Sequence, residues 1–169
     1  MSMEIWDLYD VDGNPTGRRM VRAHDIPAGY YHLVCEVLVR HVDGDYLLMR
    51  RSLRKDVFPG CWEATAGGSA LAGEDALTCI RRELREETGI VARDFEQVAR
   101  LIINDDTIFY TWLCVTDWDK NAVTLQEGET MDFRWVSEKE FIAYLHSDQV
   151  VTTQRDRWTD WYRKMGYIQ

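Results

Sequence analysis

The sequence predicts a single mixed α/β domain, and three observations carry that reading. Its 169 residues suit one core, since single domains typically organise about 100–200 residues. Apolar residues make up 46% and charged residues 29%, the balance of a globular chain rather than of a disordered tail, a coiled coil or a fibre. Short β-branched runs separated by turn residues alternate with two or three stretches of helical periodicity, the pattern of a sheet covered by helices.

Residues 4–9 alternate polar and apolar and run into Asp12-Gly13 and Asn14-Pro15, so a strand entering a hairpin is expected there. Residues 33–39 are apolar and β-branched, and Asp43-Gly44 separates them from the run 46–49, a strong hairpin signal. The basic run Arg50-Arg51-Ser52-Leu53-Arg54-Lys55 follows, broken by Pro59-Gly60. Residues 62–66 read as a short strand ending in Gly67-Gly68. Residues 74–88 read as a helix closed by Gly89, the residue type favoured just past a helix C-terminus. Residues 98–103 and 107–115 form another expected hairpin around Asn104-Asp105-Asp106. Residues 133–136 make a further strand, and Ser137 with Glu140 forms a capping box for a helix to about Leu145. Residues 152–165 place Trp158, Trp161, Tyr162 and Met165 at helical spacing, to cap the core or to offer a homodimer contact. No internal repeat or linker divides the chain, so residues 1–169 are read as one domain.

Charge and composition exclude several classes. With 29 acidic against 20 basic residues, the net charge of -9 disfavours nucleic-acid polymers, whose binding needs a positive surface. No apolar run approaches the roughly 18 residues needed to span a bilayer, so no membrane partner is expected. Residues 1–7 lack the basic and apolar regions of a secretory leader, which points to the cytoplasm. Cys35, Cys61, Cys79 and Cys114 lie far apart with no C-x-x-C pair, as expected of free thiols in a reducing compartment. His24, His32, His41 and His146 are equally scattered and show no metal-binding spacing.

The informative stretch runs from Gly68 to Ile90. On a helix turning about 100° per residue, Leu77, Ile80 and Leu84 share a sector of about 60°, the core-facing stripe. Glu87 projects about 20° from Ile80 and Glu83 about 60° from it, so both carboxylates border that stripe. Glu83, Glu86 and Glu87 also crowd one another at i, i+3 and i, i+4, each such pair costing roughly 0.2–0.5 kcal/mol. They stand at the helix C-terminus, where the macrodipole disfavours anions by a further ~0.3–1 kcal/mol each. Such local conflict marks a site compensated from outside the local sequence. Arg81, Arg82 and Arg85 offer one compensation, a solvated face of ion pairs. A hard divalent cation, Mg²⁺ or Mn²⁺, offers the other, since the donors are carboxylate oxygens with no thiolate or paired imidazole.

This stretch resembles the Nudix box, the signature of the MutT-like Nudix hydrolases, whose pattern is G-x5-E-x7-R-E-U-x-E-E-x-G-U with U apolar. Gly68, Glu74, Arg82, Glu83, Leu84, Glu86, Glu87, Gly89 and Ile90 fill every specified position. At this composition a chance match is on the order of 10⁻⁷. The resemblance implies an α/β/α sandwich with a mixed sheet. It also implies cleavage of the pyrophosphate linkage of a nucleoside diphosphate derivative or similar small diphosphate by metal-assisted attack of water. By the same resemblance Glu83, Glu86, Glu87 and the Gly67 carbonyl are metal ligands, and Glu83 is a metal ligand or the general base. Arg82, Glu83 and Glu86 form the catalytic group, Arg82 holding the glutamates by a bidentate pair. Gly68, Glu74 and Gly89 are structural, with Glu74 ordering the entry to the helix. Gly67-Gly68 would let the backbone approach metal and phosphate closely.

Family members often draw one more acid from a later loop, where Glu127 and Glu129 stand and Glu129 is preferred as a ligand. Arg50, Arg51, Arg54 and Lys55 form either a solvated loop or a group that captures substrate phosphates, which guanidinium forks fit. Tyr110 and Trp112 share one strand face, for core packing or for base stacking. The segments Trp6-Asp-Leu-Tyr-Asp10, Gly29-Tyr-Tyr-His32 and Phe58-Pro-Gly-Cys-Trp62-Glu63 are also similar to the subgroup related to isopentenyl diphosphate isomerase. That enzyme's essential cysteine would fall near Gly67, six positions from Cys61, and its box is degenerate where this one is complete. A non-catalytic Nudix-like binding module is the other alternative, and such modules generally lose box carboxylates that are all present here.

Overall fold

The computed structural model describes residues 3–169; Met1 and Ser2, the start of the segment expected to lack a leader, lie outside them. Strands β1 (Ile5–Tyr9) and β2 (Pro15–Val21) pair antiparallel as a separate ribbon. The main sheet has seven strands: β3 (His32–His41), β4 (Tyr46–Arg51), β5 (Trp62–Glu63), β6 (Thr65–Ser69), β7 (Phe95–Ile103), β8 (Thr107–Thr116) and β9 (Thr130–Val136). Helices α1 (Ala76–Thr88), α2 (Glu138–Leu145), α3 (Thr152–Arg157) and α4 (Thr159–Lys164) cover its faces.

The strand order is β5-β4-β3-β8-β7, with β6 on β3 and β9 on β4. The sheet is mixed, because β3 and β8 run parallel while every other pair is antiparallel. After its hairpin β3 keeps β4 only at Arg40↔Tyr46, and from Leu38 back to Val34 that edge is taken by β6. This exchange carries Gly67 and Gly68 alongside β3 and delivers the chain to the start of α1.

Period-two alternation in β3 divides the core. Leu33, Cys35, Val37 and Val39 pack with Cys79, Ile80 and Leu84 of α1 in one layer. Leu38 joins Tyr46, Leu48 and Val136 against Phe141, Trp158 and Tyr162 in the other. The result is the expected α/β/α sandwich.

Several boundaries differ from expectation, each for a local reason. Helix α1 starts at Ala76 because the Asp75 carboxylate accepts from Thr78 N at 2.7 Å and caps it, leaving Glu74 in the preceding turn. The expected strand 62–66 is two strands, β5 pairing with β4 and β6 with β3. The tail is two short helices rather than one, broken at Trp158. Its indole Nε1 donates to Glu36 at 2.9 Å from a side chain only 1% exposed. Trp158 and Tyr162 are thereby consumed in the core of their own chain, which removes them as a homodimer surface. Tyr110 and Trp112 likewise belong to the layer under α1, so they pack rather than stack on a base.

Candidate active site

The box loop and α1 are joined by one arginine. Arg82 Nε and Nη2 donate to the two oxygens of Glu74 at 2.7 and 2.9 Å, and Nη2 also reaches the Ser69 carbonyl at 3.1 Å. Its Nη1 donates to Glu83 at 2.7 Å and to Glu86 at 3.3 Å. Glu74 further accepts from Leu71 N at 2.9 Å, closing the turn that enters the helix. Burial works against the charge on Glu74, but Arg82 and the Leu71 N–H outweigh it and hold the carboxyl below its ordinary range.

The buried arc of α1 is wider than periodicity suggested. Cys79, Ile80, Leu84 and Thr88 are its buried residues, so the arc extends past Ile80 to Cys79. On a helix turning about 100° per residue, Glu83 and Glu87 then fall inside this arc rather than beside it. What they face there is β6, which offers no side chain at Gly67 or Gly68. A Cβ on Gly68 would lie 2.5 Å from Glu83 Oε1, and one on Gly67 would lie 2.1 Å from the Cys35 carbonyl oxygen. The glycine pair is thus required by neighbouring protein atoms: Gly67 by the closeness of β3, Gly68 by the carboxylate of Glu83. Gly89 closes the helix in the left-handed region at φ 76°, its N–H donating to the Arg85 carbonyl.

These residues line a cavity of about 290 Å³, with Gly67, Gly68, Arg82, Glu83, Glu86 and Glu87 on one side and Glu129 and Lys55 on another. An adjoining chamber of about 120 Å³ shares Gly67, Glu87, Lys55 and Glu129 and adds Arg51 and Glu63. Burial pushes the carboxyl of Glu83 up; Arg82 opposes this, while Glu86 and Glu74 add to it. Glu87 is pushed well up, by burial first and then by the charges of Glu63 and Glu83, with the Gly67 N–H opposing. Glu63 is also raised by burial, against the pull of Arg51. Among the described residues Arg82 pairs with Glu83 and Glu86 and Lys55 with Glu129, whereas Glu87 has no ion pair.

The remaining expected residues separate. Of the basic run only Lys55 reaches the cavity, and Arg51 lines the inner chamber, its Nη1 on Glu63 at 2.7 Å and its Nε and Nη2 on the Val57 carbonyl. Arg50 donates to the Gly60 carbonyl at 3.1 Å and lies over Trp62, and Arg54 is exposed, so neither lines the cavity. Glu129 lines it and Glu127 does not. Contributors that were not anticipated include Glu4, Gln126, Glu63 and Arg22. Glu63 is legible only as one charge in the otherwise apolar 62–66 stretch, and Arg22, from the end of the ribbon, carries no local signal at all.

A metal fits this site by donor chemistry. Hard carboxylate oxygens line it, and the half-buried carboxylate of Glu87 has no ion pair among the described residues. Among the described residues no three His, Cys, Asp or Glu side chains close into a finished cage. No thiol lines the cavity: Cys35 and Cys79 are buried in the core, and Cys61 sits at the turn before β5.

An α/β/α sandwich whose glycine-lined cleft is walled by the acidic end of one helix defines a class of hydrolase, and similarity to known proteins identifies it. Residues 31–162 match the NUDIX domain. A protein of Listeria monocytogenes described as the uncharacterized Nudix hydrolase lmo0368 is 31% identical over 150 residues, 88% of this chain and 89% of that one. The MutT protein from Methanosarcina mazei Go1 superposes with a TM-score of 0.60 at 26% identity, covering 84% of this chain and 98% of that one. DR0079 from Deinococcus radiodurans shares the fold, with a TM-score of 0.67 at 18% identity over 86% of this chain and 91% of its own. The chain belongs to the Nudix family of hydrolases, enzymes of the pyrophosphohydrolase type.

Proposed function

We propose that this protein cleaves the pyrophosphate linkage of a nucleoside diphosphate derivative or similar small diphosphate, with residues 1–169 forming one domain around that reaction. The observation that carries the reading is Glu87, a half-buried carboxylate beside the core-facing stripe of α1 that has no ion pair among the described residues and has Glu63 and Glu83 nearby. Such a group calls for an external cation. Glu86 and Glu87, with the Gly67 carbonyl and Glu129, would hold Mg²⁺ or Mn²⁺, leaving Glu83, of its two expected roles, that of the base. When bound, the ion neutralises phosphoryl charge and eases deprotonation of water.

The protein's own groups do the rest. Glu83 takes the proton of the attacking water; burial raises its basicity, which suits a general base working near neutral pH. Arg82 is the positioning residue: one guanidinium bonded to Glu74, Glu83, Glu86 and the Ser69 carbonyl fixes the carboxylates relative to the loop. Lys55 presents a cation to the substrate phosphates, and its pairing with Glu129 keeps both side chains at the cavity edge. Among the described residues no helix is long and apolar enough to cross a membrane; the four free cysteines support the part of the proposal that places the reaction, on a small molecule, in the cytoplasm.

The isomerase alternative has no support in the site, because no described thiol lines the cavity. Retention of every box carboxylate likewise gives no support to a binding module. A hydrolysis screen over nucleoside diphosphate derivatives, with Mg²⁺ and with Mn²⁺, scored as phosphate released after a coupling phosphatase, tests the proposal. At least one substrate should turn over only with metal, and Glu83→Gln should lower kcat by about 10²–10⁴-fold. Isomerisation of isopentenyl diphosphate without pyrophosphate cleavage, or full activity in the variant, would overturn it.

A further inference from the structure

The ribbon β1–β2 lies before the NUDIX match, which begins at residue 31, yet it builds part of the cavity wall. It is tied to the box loop at three points: Ala72 N donates to the Ile5 carbonyl at 2.8 Å, Gly73 N to Asp7 at 2.6 Å, and Tyr9 OH to the Glu74 carbonyl at 3.2 Å. Where the chain leaves β2, Arg22 is anchored by its own N–H to the Glu4 carbonyl at 2.9 Å and by Nη1 to the Glu4 carboxylate at 2.7 Å. The guanidinium carbon lies 5.8 Å from the Trp6 ring. Glu4 and Arg22 both line the cavity.

Three cations line that cavity, Arg22, Lys55 and Arg82, and their remaining capacity differs. Arg82 is committed to three carboxylates, and Lys55 is bound to Glu129. A guanidinium carries five N–H donors. Arg22 uses only Nη1 in a side-chain hydrogen bond among the described residues, and its side chain is 61% exposed. It is therefore held in direction but not saturated. Charged side chains dominate the lining among the described residues, so the cavity is built to grip charge.

We infer that Arg22 is a specificity-determining residue that binds an anionic group of the substrate beyond the scissile diphosphate, such as a third phosphoryl group. The inference rests on the hydrolase reading and adds the substrate class to it. The planar fork of arginine matches phosphate oxygens two at a time, and a group placed beyond the carboxylate cluster needs such a cation to offset its acid.

Titration calorimetry at fixed free Mg²⁺ with imidodiphosphate and diimidotriphosphate, non-hydrolysable probes bearing two and three phosphoryl groups, tests it. Arg22→Gln should weaken the triphosphate probe about tenfold or more, the scale of a lost charged hydrogen bond, and leave the diphosphate probe within about twofold. Arg22→Lys should recover part of the loss. A fall in both probes alike, or in neither, would overturn the inference alone. Wild-type protein that binds neither probe would overturn the hydrolase reading together with it.

Discussion

Gly67 and Gly68 are adjacent, yet the two substitutions to alanine should fail differently. On Gly67 the added Cβ meets backbone, the Cys35 carbonyl oxygen at 2.1 Å and Glu36 Cα at 2.7 Å, so strand pairing between β3 and β6 must yield. Gly67→Ala should cost about 3 kcal/mol or more. On Gly68 the Cβ meets the end of the Glu83 side chain at 2.5 Å, which can rotate away. Gly68→Ala should therefore leave stability nearly unchanged while lowering kcat about 10²-fold, because the carboxylate is displaced on the order of 1 Å. Thermal melts beside steady-state rates separate the two; equal loss of stability in both variants contradicts this account. The sequence made these glycines legible as a close approach, expected toward metal and phosphate, whereas the atoms a side chain would meet are those of Cys35, Glu36 and Glu83. That Glu83 fills the space above Gly68 depends on where β6 crosses α1, a tertiary fact. Glu63 was hidden for the same reason, since β5 meets the carboxylates only after β4 has left β3.

At the scale of the element, the C-terminal half of α1 sets how the protein responds to pH and metal. Glu83 and Glu87 have folded pKa values above their ordinary 4.5, so above that pH the folded state binds more protons than the unfolded chain. Stability from these two groups is full below about 4.5 and is lost as pH rises through their raised values. Glu74 has the opposite sign: its depressed carboxyl contributes stability above 4.5 that is lost as pH falls through its folded value. In chelator, Tm should fall as pH is raised from 5 to 8, and Mg²⁺ should restore it, by about 2.7 kcal/mol at a hundredfold excess over Kd. Glu87→Gln should flatten the fall and remove much of the Mg²⁺ gain; a variant that keeps both contradicts the assignment. The helix, its glycine stop and its crowded acids were all readable from spacing. Its true start was not: the expected helix took in Glu74 and Asp75, whereas Asp75 is its cap and Arg82 holds Glu74 in the preceding turn.

At the scale of the molecule, the C-terminal helices are fastened to the strand that lies behind the site. Glu36, 4% exposed on β3 and opposite Gly67 in register, accepts from Arg157 at 2.7 and 2.9 Å and from the Trp158 indole. Glu36→Gln should cost about 3 kcal/mol by leaving a guanidinium unpaired. A calorimetric melt should then show Tm lowered by roughly 6–12 °C for a chain of this size. An unchanged Tm would mean that α3 is held by apolar packing alone. The layered architecture and most strands were legible from alternation and turn residues. The first ribbon was legible as a hairpin too; its placement at the cavity, the parallel pairing of β3 with β8 and the handover of an edge from β4 to β6 were not, because nothing local encodes them.

The acidic end of α1 is proposed to hold a divalent ion, with Glu87 the carboxylate that most requires it. Mn²⁺ binding followed by electron paramagnetic resonance, in wild type and in Glu87→Gln, measures that directly. A bound ion is expected in the wild type, with affinity at least tenfold weaker in the variant. Equal affinity in the two proteins, or no binding by the wild type, would contradict it.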